Sequence, residues 1–155
     1  MSVYAQDGTL QRVIEREYET LERDERQMTR FRSLMESQSR QFPQGVEIEV
    51  EDNAADVQNV RYAADGTIWV QTSRSVYAAE AGVLAAFDVF DPDGTYVRRV
   101  QARVEGDPAS DWLFVTDHGY ALQVKGFWDA ALAAMGGGGD GGEEPMEIVC
   151  YRIAE

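Results

Sequence analysis

Apolar and polar positions recur with two different periods along this chain, and the changes of period divide it into a hairpin, a helix and a long run of strands. "SVYA" and "LQRVIE" flank the turn "QDGT", which predicts a hairpin over residues 1–16. Over residues 17–42 the spacing becomes three, four and seven. Ile14, Tyr18, Leu21, Met28, Phe31 and Met35 form one stripe, the pattern of an amphipathic helix. Glu19 with Arg23 and Glu22 with Arg26 stand in the favourable acid-first order at i, i+4. Pro43 and Gly45 in "FPQG" end the helix.

From Val46 the period returns to two. In "VEIEVED", Val46, Ile48 and Val50 oppose Glu47, Glu49 and Glu51, which predicts a strand with one wet face. The later units, "NVRYAADGTIWVQTS", "AAFDVFDPDGTYVRRVQARV", "DWLFVTDHGYALQVKG" and "MEIVCYRIAE", carry apolar groups on both alternating sets. Strands of that kind are covered on both faces. The stretch "GGGGDGGEE" at residues 136–144 predicts a flexible loop.

Gly8, Gly66 and Gly94 each follow Asp at a corner, and Gly119 in "TDHGY" closes a fourth. The last three stand 28 and 25 residues apart, so a pair of hairpins takes about 53 residues. Two hairpins make a four-stranded sheet, and such sheets repeated at about 40–50 residues are the unit of a β-propeller. The chain is therefore predicted to be mainly β, an incomplete propeller of antiparallel four-stranded blades with one long inserted helix. Residues 1–16 supply the hairpin of a preceding blade, 17–42 the helix, 46–104 a full blade and 111–155 a last blade.

"YAADGTIWVQTSR", "FDVFDPDGTYVRRV" and "EIVCYRI" are similar to the last blades of bacterial six-bladed propeller proteins of the NHL-like kind. The resemblance runs from Val3 to Ile153. It implies the C-terminal portion of a larger ring, and a periplasmic location with the export signal outside this chain; without it the location is cytoplasmic. Six blades need well over 200 residues, about 40 or more for each blade, so ring closure within 155 residues is not expected.

Composition bears on partners more than on fold. With 44% hydrophobic and 10% aromatic residues the chain can bury a core, and no apolar run approaches the length of a membrane span. The net charge is -14, and the excess of acids falls after residue 44. Such a surface repels phosphate backbones, which excludes nucleic acid as a partner. The basic set is thirteen Arg with Lys125 alone.

The candidate chemistry is sparse. His118, the one histidine, falls in a hairpin turn, and Cys150, the one cysteine, falls in a strand where it reads as a buried thiol. Asp88, Asp91 and Asp93 resemble alternating calcium ligands but lack the distal bidentate glutamate. Glu47, Glu49 and Glu51 read as a solvated strand face. Trp69 and Trp112 are expected between sheets, and Trp128 beside the glycine loop as a contact residue.

The reading is a non-catalytic binding or scaffolding module without cofactor or metal. It extends to an extrinsic accessory subunit of a larger, membrane-associated assembly. Its contact residues are Tyr18, Leu21, Met28, Phe31, Met35 and Trp128. The rivals are a fragment of a calcium-dependent propeller hydrolase or lactonase and a carbohydrate-binding propeller. Too few blades should leave the first and last sheets exposing large apolar groups such as Tyr96, Val100, Leu122 and Tyr151, to be covered by another protein or by self-association. The overall charge favours a foreign protein over a homodimer.

Overall fold

The computed structural model describes residues 1–39, 49–134 and 146–153. In chain order its elements are β1 (Ser2–Tyr4), β2 (Leu10–Val13), α1 (Glu25–Ser39), β3 (Val57–Tyr62), β4 (Ile68–Thr72), α2 (Ser73–Tyr77), β5 (Ala85–Phe90), β6 (Tyr96–Ala102), β7 (Trp112–Val115), β8 (Tyr120–Lys125), α3 (Phe127–Ala134) and β9 (Glu147–Arg152). The described strands form three antiparallel sheets, each in sequence order: β1-β2, β3-β4-β5-β6 and β7-β8-β9. The protein is mainly β.

The repeated Asp-Gly-Thr explains the corners. At the first, the Gly8 N–H donates to the Ala5 carbonyl at 3.0 Å and the Ala5 N–H to the Thr9 carbonyl at 2.9 Å. The same pair of bonds recurs between Ala63, Gly66 and Thr67 and between Asp91, Gly94 and Thr95. This is a short hairpin loop with its glycine in the left-handed region, and φ is +85° at Gly66 and +86° at Gly94. Aspartate adds a second tie, since Asp7 and Asp65 each accept the N–H of the threonine two residues on, at 2.9 Å. The Thr67 hydroxyl and N–H hold the Asp65 carboxyl below its ordinary range. In "DPDGT" the role passes to Asp91, which accepts from Asp93 and Thr95.

The three sheets stack in chain order. β5, "AAFDVF", is buried along its whole length because both of its alternating sets face another sheet. On one side Ile68, Val70 and Phe90 meet Ile14, with Val3 of the hairpin packed against them. On the other, Ala85 and Phe87 meet Leu113, Val115 and Ala121 of the last sheet. Burying each of the larger groups contributes about 1.5–3 kcal/mol.

One charge enters this packing. Asp88, on the hairpin side of β5, is buried and ion-paired with Arg16, whose guanidinium also lies 4.6 Å from the Tyr96 ring centre.

The helix begins at Glu25, eight residues later than the apolar stripe predicts. Residues 15–24 cross the molecule as an extended strap. Tyr18 Oη lies 2.6 Å from Ser73 Oγ and accepts the Arg74 N–H at 3.0 Å. The Leu21 carbonyl accepts from Ala54 N–H, and Arg23 N–H donates to the Asp52 carbonyl, both at 2.8 Å. These tertiary bonds override the helical spacing, as weak propensities allow. Glu19 accordingly pairs with Arg74 at 3.0 Å.

The helix start is written at Asp24. Its carboxylate accepts the Gln27 N–H at 2.7 Å while Gln27 Oε1 accepts the Asp24 N–H at 3.0 Å, a reciprocal capping box. Loss of the cap in Asp24→Ala is expected to weaken α1 by about 1 kcal/mol, hence to speed amide exchange over Met28 to Phe31 about fivefold. Unchanged exchange there would refute the cap.

The strand expected over "VEIEVED" is not found at residues 49–52, and residues 46–48 lie outside the described ones. The four-stranded sheet starts instead at Val57, preceded by an isolated bridge between Glu22 and Asn53. The glycine loop of residues 136–144 also lies outside the described residues.

Candidate interaction surface

The last sheet is anchored on its inner side and, among the described residues, open on most of its outer side. Antiparallel pairing places Leu113 beside Gln123 and Val149, and Val115 beside Ala121 and Tyr151. This set packs on the middle sheet. Gln123, fully buried, is its polar centre: Nε2 donates to the Glu105 carbonyl at 3.0 Å and to Asp111 Oδ2 at 2.7 Å, and Oε1 accepts from the Tyr151 hydroxyl at 2.8 Å. Asp111 Oδ1 in turn accepts the Gly126 N–H at 3.0 Å. The connection from β6 to β7 passes tightly beside this network, since a Cβ on Gly106 would stand 2.4 Å from Gln123 Nε2.

The same alternation turns the other set outward: Trp112, Phe114, Leu122, Val124, Ile148 and Cys150. Phe127 of α3 stacks on Trp112 with ring centres 4.9 Å apart and covers that corner. Among the described residues Phe114, Ile148 and Cys150 are exposed, Ile148 to 70%, with Leu122 and Val124 half-buried between them. Apolar side chains spread over three adjacent strands make a contiguous patch, the kind that marks an interface. Beside Phe114 the patch continues into a crevice of about 360 Å³ between β3 and β7, lined by Tyr62, Trp69, Phe87 and Trp112. Arg61 lines it too and is ion-paired with Asp117.

The opposite end of the stack has an outer side of its own. Val3 points toward the core, whereas Tyr4, Leu10 and Val13 of the hairpin are exposed.

No protein-family model matches this chain, and no curated protein or solved structure does either.

The expected contact residues are distributed over the strap, α1 and α3. Tyr18 and Leu21 belong to the strap and are engaged with Ser73, Arg74 and Ala54. Met28 is buried, Phe31 lies under the Arg23 guanidinium at 4.4 Å, and Met35 is half-buried on α1. Trp128 is exposed on α3, its ring 5.0 Å from that of Phe127. α1 and α3 are joined by the Arg30–Asp129 ion pair at 2.9 Å.

Of the residues expected on exposed faces, Leu122 lies on the outer side of the last sheet. Tyr96 and Val100 belong to β6 of the middle sheet, and Tyr151 points inward to Gln123. Cys150 is exposed, contrary to the expectation of a buried thiol, because its set on the edge strand β9 faces outward. Trp69 packs with Phe87 at the sheet interface, as expected, whereas Trp112 lies on the outer set. Register decides this, and register was not legible in strands with two apolar sets.

Asp88, Asp91 and Asp93 are dispersed: Asp88 is buried beneath Arg16, Asp91 ties the turn, and Asp93 lies in solvent 3.7 Å from Arg12. His118 is exposed in its turn, where Gly119 takes the positive φ. Among the described residues no three His, Cys, Asp or Glu gather as metal ligands, and no helix is long and apolar enough to cross a membrane.

Proposed function

We propose that the protein is a non-catalytic protein-binding module, built as an incomplete β-propeller whose last sheet offers its outer face to a partner. The observation that carries this reading is that face: a three-stranded apolar surface, rigidly backed by the Gln123 network, with one corner covered. Sheets stacked face to face in chain order, the middle one a four-stranded antiparallel meander, accord with blade-like packing. A ring closes by setting a further sheet against the last one, and a binding partner supplies the equivalent cover here.

The folded, dilute protein is expected to bind an apolar-surface dye. Ile148→Lys should reduce that fluorescence to roughly half by breaking the patch, with the melting temperature unchanged because the side chain is mostly in solvent. A native protein that leaves the dye dark would refute the reading.

A further inference from the structure

We propose that the open face of the last sheet is covered by the β1-β2 hairpin of a second copy of this chain, joined head to tail. The inference rests on the protein-binding reading above and names the partner.

The hairpin is the element of this chain that already covers such a face. Its inner side closes the Ile68, Val70 and Phe90 side of the middle sheet, while Tyr4, Leu10 and Val13 on its other side remain exposed. Apolar groups on both sides of a strand pair are the pattern of strands sandwiched between two sheets. The middle sheet shows the arrangement completed, with the hairpin on one side and the last sheet on the other. Placed on the last sheet of a neighbour, the hairpin acquires the same two-sided cover.

The net charge of -14 opposes self-association in general, but the local charges favour this pairing of faces. The acids that dominate the chain are absent from the outer set of the last sheet, whose charged member is Arg152, exposed and without an ion pair among the described residues. At the hairpin, Arg12 and Arg16 are committed to Asp93 and Asp88, which leaves Asp7 and Glu15 exposed and without an ion pair among the described residues. Head-to-tail contact brings Arg152 toward these acids. Pairing two last sheets would set Arg152 against its own copy. A contact between two different faces closes into a ring or continues as a filament.

The test is sedimentation of the full chain over a hundredfold concentration range, with Leu10→Lys and Ile148→Lys studied alone and mixed. The wild-type mass should rise with concentration. Each variant alone should associate at least about tenfold more weakly, because a lysine enters an apolar contact. An equimolar mixture should recover a dimer, since each variant supplies the face that the other lacks. Val13→Lys with Phe114→Ser repeats the mixture on different residues, and melting temperatures equal to wild type establish that the variants fold.

Association of Leu10→Lys at wild-type strength would overturn the proposal. So would failure of both folded pairs to recover the dimer. A wild-type chain that stays monomeric yet binds the apolar dye overturns the head-to-tail pairing and spares the protein-binding reading. A monomer without dye binding removes both.

Discussion

Gln123→Leu is expected to lower stability by about 1–3 kcal/mol through the loss of a buried hydrogen-bond network. The side chain is fully buried, and all of its hydrogen-bonding groups are used at once by Glu105, Asp111 and Tyr151. Leucine removes them and leaves a carboxylate, a carbonyl and a phenol facing an apolar group. A lost hydrogen bond costs little where water replaces it, and the fully buried Gln123 position is out of reach of water on its own side of these bonds. Chemical denaturation measures the loss, and a change below about 1 kcal/mol would contradict the network. Gln123→Glu separates chemistry from shape. A second carboxylate against Asp111 is disfavoured, so its folded pKa is raised, and the variant should regain stability as pH falls through that raised value.

Gly94→Val is the second large effect, and its size comes from two separable causes. The backbone strain of a β-branched residue at φ +86° costs about 1–3 kcal/mol. The new Cβ would also stand 2.6 Å from Ile14 Cγ1, and overpacking of that kind costs about 1–3 kcal/mol more. Ile14 cannot step aside because it is buried against Ile68, Val70 and Phe90. Gly119 isolates the first cause: its φ is +74° and a Cβ there meets nothing within 4 Å. Gly119→Val should therefore lose the strain term alone. Equal losses at the two corners, measured by thermal unfolding, would show that the hairpin does not rest on the third corner.

Much of this architecture was legible in the residues because corners are local. An Asp-Gly-Thr closes a hairpin through bonds within five residues, so Gly8, Gly66 and Gly94 mark turns within the sheets directly, and Gly119 marks a fourth without the full tripeptide. The strap was not legible, because Tyr18 and Leu21 are spaced as in a helix but are held by Ser73, Arg74 and Ala54, far along the chain. A local signal did exist at Asp24 and Gln27, whose spacing is that of a capping box and places the helix start correctly. The open face was legible only in part. That a terminal sheet must expose one apolar set follows from counting strands; which set it is depends on whether Gln123 or Leu122 turns inward. Gln123 is polar yet turns inward, because Glu105, Asp111 and Tyr151 satisfy its hydrogen-bonding groups there.

Among the described residues the outer face of the last sheet is open, and Cys150 reports directly on whether it is so in the whole folded chain. It is the one cysteine of the sequence, and it lies on that face, exposed, beside Leu122. The labelling rate of its thiol in dilute native protein should fall within about tenfold of the rate in the denatured chain, as for an accessible thiol. Protection by several orders of magnitude, at a concentration where the chain is monomeric, would mean that the chain covers this face itself and would contradict the account.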